Sequence, residues 1–496
     1  MNAEQKIERN ESFAARVKGA VIWRSGSQIV GQVITWASTF LVIRMLSPTD
    51  YGLVAMPQVV LVFFNLMNGW GFGSALVQAE SVDRRRISQV FGMLLLLNGA
   101  LAAAQFVLAP FAAAYFRQPM LTELLRFQAL FYFATPFTAL GTALLSRTME
   151  FRRQAQVNLT AAMLSALTAI GCAYAGMGVW TLVAAPGVYW WARAIGFTLA
   201  ARLLVWPSFR FGGAGKLFGF GSAIIVVQLF WFVQSQADVF IGGRMLDAHQ
   251  LGIYTTALFL TQILSAKFVP PLNEIAFAAY SRIQDQSDVV QSAFLKSVRL
   301  IMLVALPFYF GLAVTAEPLV LTFLGPKWVE TAALVPILAM AMPFMTLQIL
   351  FSPATNALGR PGIAVRTGLA GAILMPAAFL VGIGWGMEGL AWAWLGGMAV
   401  LCVATALLSL PTIGIKVGAF AASIGPGLFA AAAMGALVFL FDSQLDGLSP
   451  PARLALLVTF GAAAYAGLLL AFARATVEEA IQLIRPKAKA AAAQAL

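Results

Sequence analysis

Apolar residues in this chain come in long runs broken by short polar stretches. A bilayer core of about 30 Å is crossed by a helix of about 20 apolar residues. Fourteen such runs are predicted, near 20–44, 51–78, 87–116, 121–145, 154–176, 178–201, 217–243, 250–280, 290–315, 329–356, 363–385, 389–410, 417–441 and 453–474. The longest connection, around Leu203 to Lys216, is short and basic, and no connection is long enough to fold as a domain. Whatever the protein does is therefore expected of its helices.

The pattern also repeats. The first run ends in Arg44-Met45-Leu46 with Gly52-Leu53 behind it, and 200 residues later Arg244-Met245-Leu246 is followed by Gly252-Ile253. Gln28/Gln228, Val33/Val233, Ala37/Ala237 and Phe40/Phe240 match in the same ungapped frame. Weaker landmarks recur later: Ala143-Leu144-Leu145-Ser146-Arg147 resembles Asn356-Ala357-Leu358-Gly359-Arg360, and Gly178-Val179 resembles Gly389-Leu390. An even number of crossings separates the matched runs, so both copies point the same way, a parallel repeat about an axis along the membrane normal. The expected fold is all-α and integral to the membrane, with about 14 transmembrane helices. It comprises two six-helix lobes in parallel pseudo-twofold repeat plus two C-terminal helices. The expected boundaries are a cytoplasmic segment 1–19, lobes 20–203 and 217–410 joined by a loop 204–216, a helix pair within 411–475, and a tail 476–496. The tail contains an amphipathic stretch near Thr476 to Arg485 suited to lying on the inner leaflet.

Composition agrees. The chain is 60% hydrophobic and 10% charged over 496 residues, with mean hydropathy +0.83, which leaves too little polar surface to cover soluble domains. Charge then sets orientation. With a cytoplasmic N-terminus, 24 of the 32 Lys and Arg fall on the cytoplasmic side and 6 on the far side, with Arg193 and Lys267 inside the membrane. That asymmetry follows the rule for bilayer proteins, places both termini in the cytoplasm, and makes nucleic acid a poor explanation of the +12 balance. Residues 1–19 are charged and lack a short apolar core with a cleavage site, so the first helix is expected to be retained. Cys172 and Cys402 sit in apolar runs as small hydrophobes, and no metal spacing accompanies them.

At Arg44-Met-Leu-Ser47-Pro48-Thr-Asp50-Tyr51-Gly52, at Gln236-Ala-Asp238 through Gly242, and at Leu251-Gly252-Ile253-Tyr254, the chain resembles the Wzx-type polysaccharide flippases. These belong to the multidrug/oligosaccharidyl-lipid/polysaccharide exporter superfamily. The resemblance implies a transporter of the bacterial inner membrane that moves undecaprenyl-pyrophosphate-linked oligosaccharide repeat units from the cytoplasmic to the periplasmic leaflet for lipopolysaccharide or exopolysaccharide assembly. It implies no cofactor beyond a coupling proton or sodium ion. Its partners would be the lipid-linked oligosaccharide, membrane lipid, and a polysaccharide polymerase or export machinery. Physical chemistry supports the same task, since hydrocarbon refuses a pyrophosphate and its sugars unless a polar, cationic cleft opens alternately to each side.

Candidate residues follow from cost. Arg193 lies deep in its run, where a guanidinium faces water, a partner or the interface. It would suit a pyrophosphate through paired hydrogen bonds, or serve as a structural anchor beside Trp190 and Trp191. Lys267, Pro270, Pro271 and Glu274 put a charge, a double break and an opposite charge in one helix, with Lys267 and Glu274 on one face if it stayed regular. They read as a gate and ligand group, or as an ion pair at a kink. Asp238 stands where the first copy has Ser38, and would bind a coupling cation, touch sugar hydroxyls, or anchor Arg244 or Arg44. Arg24 would anchor the cytoplasmic interface or bind the pyrophosphate, and Gln28 and Asn68, with Gln32, Asn65, Asn98 and Gln105, would line a polar cleft or bond between helices. Arg44, Gly52, Arg244 and Gly252 are expected to be structural: a helix end, a turn that glycine permits, and a new helix start.

A multidrug/cation antiporter shares the duplicated architecture, but Asp238 and Glu274 are nearly the only acids in the membrane runs and face two cations there. A lipid II flippase handles the same pyrophosphate. A polytopic polymerase or glycosyltransferase would need chemistry on sizeable far-side loops, which are short here, and the single His249 has no evident catalytic partner. A pure scaffold would need no charge at helix centres.

Overall fold

In a computed structural model the described residues are 26–68, 83–203, 205–210, 222–445, 447–474 and 477–479. Among them the secondary structure is helical, with no strand. The N-terminal segment with Arg24, and most of the tail, lie outside the described residues.

By backbone contacts the chain divides into two compact units, one of residues 1–229 and 247–252 and the other of residues 230–246 and 253–496. In the first unit stand α1 (Gly26–Met45), α2 (Pro48–Met67), α3 (Arg84–Phe116), α4 (Leu121–Arg147), α5 (Phe151–Tyr174) and α6 (Thr181–Ala200). Helix α7 (Ser222–Met245) passes into the second unit, and α8 (Ala248–Lys267) starts in the first and continues in the second. The second unit continues with α9 (Val269–Arg282), α10 (Ser287–Val314), short α11 (Ala316–Phe323), α12 (Thr331–Ala357), α13 (Gly362–Gly382), α14 (Gly386–Ile413), α15 (Val417–Asp442) and α16 (Pro450–Phe472).

Eleven helical stretches among the described residues are long and apolar enough to cross a membrane. One, Gly362–Ile413, covers two of the expected crossings, because only a tight turn at Ile383–Trp385 separates α13 from α14. Helices α6 and α7 are not among the eleven. The expected crossing at 250–280 is two helices broken at Phe268: α8 ends at Lys267 and α9 begins with Val269 and two prolines. Pro270 and Pro271 have no N–H to give the carbonyls of Ala266 and Lys267, so the regular ladder stops there.

The repeated words have a local cause that differs from the expected one. Ser47 caps α2: its Oγ accepts the Asp50 N–H at 3.3 Å while the Asp50 carboxylate accepts the Ser47 N–H at 3.0 Å. In the second copy the Asp247 carboxylate accepts the Gln250 N–H at 2.8 Å. These caps make the turns. Gly52 and Gly252 lie inside the following helices, not in the turns. A Cβ on Gly52 would land on the carbonyl of Ala248, and a Cβ on Gly252 on the carbonyl of Pro48. The starts of α2 and α8 thus cross backbone to backbone within the first unit, a reciprocal contact that small residues permit in membranes.

The first unit buries Val90, Phe91 and Leu94 of α3 against Leu140 and Ala143 of α4 and Leu203. The segment after α6 is docked onto α3: Ser208 N–H donates to the Ser88 carbonyl at 2.9 Å, and Gln89 Nε2 to the Arg210 carbonyl at 2.8 Å. In the second unit α10 packs along α15 and α12, and α16 along α15. The Leu303 carbonyl of α10 lies four residues before Pro307 and so loses its helical donor; Tyr465 Oη of α16 supplies one at 2.8 Å. The two C-terminal helices, expected as an appendix, are therefore bonded into the second unit.

Candidate functional site

Arg193 is positioned in the first unit by the pairing of α6 with α5. Gly196 lets α6 approach Val157 of α5, and one position on, Asn158 Oδ1 accepts from Arg193 Nε at 3.0 Å. The guanidinium carbon sits 5.4 Å from the Tyr189 ring centroid and 5.5 Å from those of Trp190 and Phe197. These lie one helical turn away, which is why they surround it, and each contact of this kind contributes about 0.5–1 kcal/mol. One edge of the fork is thus held and the planar faces are flanked. The η nitrogens hydrogen-bond to no described side chain or carbonyl, which leaves a rigid pair of donors of the kind that suits two oxygens of one phosphate.

Asp238 is placed in the second unit with no exposure. Its Oδ2 accepts from Tyr254 Oη at 2.7 Å and from Trp394 Nε1 at 3.0 Å, and its Oδ1 from the Val239 N–H at 2.8 Å. Trp394 Nε1 also lies 2.7 Å from Tyr254 Oη, closing the three groups into one network. The network joins α7, α8 and α14. The expected arginine anchor is not what holds the carboxylate: its partners are two neutral donors, because in an apolar core these fill the oxygens without burying a second charge. Tyr254 stands in the segment Leu251-Gly252-Ile253-Tyr254 that carries the resemblance, and Trp394 in an apolar run. Neither was singled out, although a carboxylate in such a run needs donors and Tyr and Trp are the apolar residues that carry one.

Lys267 and Glu274 are both exposed and form no ion pair with each other or with any described residue. The break at Phe268 removes the regular helix on which a shared face depended. Asn273 of α9 donates to the Ile349 carbonyl at 3.1 Å and holds α9 on α12.

The cleft-lining candidates separate by burial. Asn98 and Gln105 are fully buried in the first unit. Gln105 bridges helices, donating to the Leu125 carbonyl at 2.8 Å and accepting from Tyr132 Oη at 3.0 Å, and Asn98 donates to the Leu94 carbonyl. Both belong to the core of the unit. Gln28 is exposed on α1, and Asn68, at the end of α2, has a buried Oδ1 with no partner among the described residues. Among the described residues no group of three or more His, Cys, Asp or Glu could hold a metal.

A family model described as "Polysaccharide biosynthesis protein" matches residues 41–333. The chain is 25% identical over 479 residues to the teichuronic acid biosynthesis protein TuaB of Bacillus subtilis, covering 92% of this chain and 96% of that protein. It is 24% identical to the succinoglycan biosynthesis transport protein ExoT of Rhizobium meliloti over 68% of this chain and 69% of that one. The solved structure of the lipid II flippase MurJ in an inward closed conformation matches with TM-score 0.72, 13% identity, and coverage of 92% of this chain and 100% of that chain. An inward-facing multidrug resistance MATE family transporter matches with TM-score 0.60, 15% identity, and coverage of 80% and 98%. At these identities the likeness is one of fold.

Proposed function

As the chain belongs to the polysaccharide biosynthesis protein family, we propose that it is a flippase carrying undecaprenyl-pyrophosphate-linked oligosaccharide repeat units from the cytoplasmic to the periplasmic leaflet of a bacterial inner membrane. Lipopolysaccharide or exopolysaccharide assembly would consume them, through a polymerase or export machinery. The observation that carries this reading is Arg193, a guanidinium within the apolar helix α6, fixed by Asn158 and three rings with its η nitrogens left to bind. A lipid-linked sugar offers a pyrophosphate for that fork, and its tail stays in the bilayer. Two lobes rocking about the bound head group would release it on the far side. In the second unit Lys267, exposed beside the proline break, is a further candidate cation for a lipid-linked anion, with Pro270 and Pro271 as the bend and Glu274 as its modulator. The relatives' names support the polysaccharide branch over the antiporter, since TuaB and ExoT are named for bacterial polysaccharides.

Coupling is proposed at Asp238, with a proton rather than a sodium ion. A hard cation takes several oxygen ligands at once, whereas Asp238 is surrounded by O–H and N–H donors. The test is reconstitution with a fluorescent undecaprenyl-pyrophosphate oligosaccharide and a quencher added outside. Arg193→Ala is expected to slow transfer about tenfold or more, the scale of a lost charge-assisted hydrogen bond, and Arg193→Lys to restore part of it because charge returns without the fork. Wild-type protein that moves no lipid-linked sugar but exports cationic dyes would turn the assignment to the antiporter.

A further inference from the structure

The second unit carries its own pair of cations on one carboxylate. Lys296 and Arg299 stand one turn apart near the start of α10, and both engage one carboxylate: Glu479 Oε2 lies 2.6 Å from Arg299 Nη1 and Oε1 lies 3.4 Å from Lys296 Nζ. Glu479 follows α16, and Val477 just before it packs on the buried cluster of Ala430, Leu469 and Ala473, which Leu303 of α10 also touches. The two cations remain 35% and 40% exposed, and charge asymmetry puts this end of α10 at the cytoplasmic leaflet. A carboxylate shared by a lysine and an arginine occupies the position a phosphate monoanion would take, and basic residues at that surface draw acidic lipids. The bond it would displace is partly exposed and so is weakly held.

We propose that Lys296 and Arg299 form a site for the phosphate of a membrane amphiphile in the cytoplasmic leaflet, with Glu479 as its built-in competitor. Binding there releases the segment after α16 from α10. Tyr465, bonded to the carbonyl that Pro307 leaves free, keeps α16 itself attached. The site does not depend on the flippase assignment, because its readout is lipid occupancy and not transport.

The full-length protein is taken into nanodiscs of phosphatidylcholine alone, with added phosphatidylglycerol, or with added undecaprenyl phosphate, and retained lipid is counted by native mass spectrometry. Glu479→Gln is expected to raise retention of the phosphate lipid about fivefold, and Lys296→Gln/Arg299→Gln to bring it to the phosphatidylcholine level. A spin label at Glu478→Cys is expected to gain mobility when phosphate lipid is added. The phosphatidylglycerol and undecaprenyl arms identify which amphiphile the site takes. Equal retention by wild type, Glu479→Gln and the double variant, all with unchanged unfolding midpoints, would overturn the proposal, as would a label whose mobility ignores lipid.

Discussion

A carboxylate with no exposure needs its oxygens filled, and Asp238 shows how an apolar unit does it: a phenol, an indole and a backbone N–H, all donors without charge. Removing the acceptor strands the buried Tyr254 hydroxyl at about 1–3 kcal/mol and leaves Trp394 Nε1 with Tyr254 Oη as its remaining acceptor. Asp238→Ala is therefore expected to lower the thermal unfolding midpoint clearly, and Asp238→Asn, which keeps an oxygen for Tyr254 and Trp394, to lower it much less. If transport by Asp238→Asn still follows an imposed proton gradient, the proton does not travel on this carboxylate. The sequence exposed Asp238 because the first copy has serine there. It could not expose Tyr254 and Trp394 as partners, because 16 and 156 residues separate them from it, and a pairing of that span is decided by packing. Arg193 was visible for the same reason as Asp238, a charge in an apolar run, whereas its one fixed edge required Asn158 to arrive from α5.

Among helices, close approach and proline breaks determine where substitution hurts. Gly52→Ala puts a methyl on a backbone carbonyl that cannot rotate away, and overpacking of this kind costs about 1–3 kcal/mol. Gly171→Ala in α5 meets nothing within 4 Å and is expected to be neutral or stabilising by about 0.5–1 kcal/mol. Unfolding midpoints of the two variants in one detergent check the contrast. The bond from Tyr465 to Leu303 gives a cycle. Tyr465→Phe alone is expected to cost about 1 kcal/mol, and less in a Pro307→Ala background, where residue 307 can donate to Leu303 itself. Equal costs in both backgrounds would mean that the proline-freed carbonyl is not what Tyr465 serves. Helix starts behind Arg44 and Arg244 were legible, and Ser47 and Asp247 accept the orphan N–H groups there. The role of the glycines behind them was not, because a helix crossing involves a second helix that local pattern does not name.

For the molecule as a whole, an electrostatic clasp holds Glu479, which follows α16, on α10. Burial by itself would push the Glu479 carboxyl up, but the hydrogen bond and charge of Arg299, with Lys296, hold it below its ordinary value. A lowered value means the clasp contributes above the ordinary carboxylate range and is lost as pH falls through the lowered value, while both cations stay charged. A spin label at Glu478→Cys is accordingly expected to be immobile at neutral pH and to loosen in acid, with Glu479→Gln already loose at neutrality. Sequence by itself determined that this is a multi-pass helical membrane protein with a 200-residue recurrence and unevenly placed basic residues, because apolar length, basic-residue placement and recurrence are linear quantities. Tertiary structure alone decided that the repeated glycines meet, that Asp238 is held by Tyr254 and Trp394, that the helix after Lys267 breaks, and that the C-terminal pair is bonded to α10. Each of these depends on which atoms distant segments bring within about 3 Å, and no pattern along one strand of sequence carries that information.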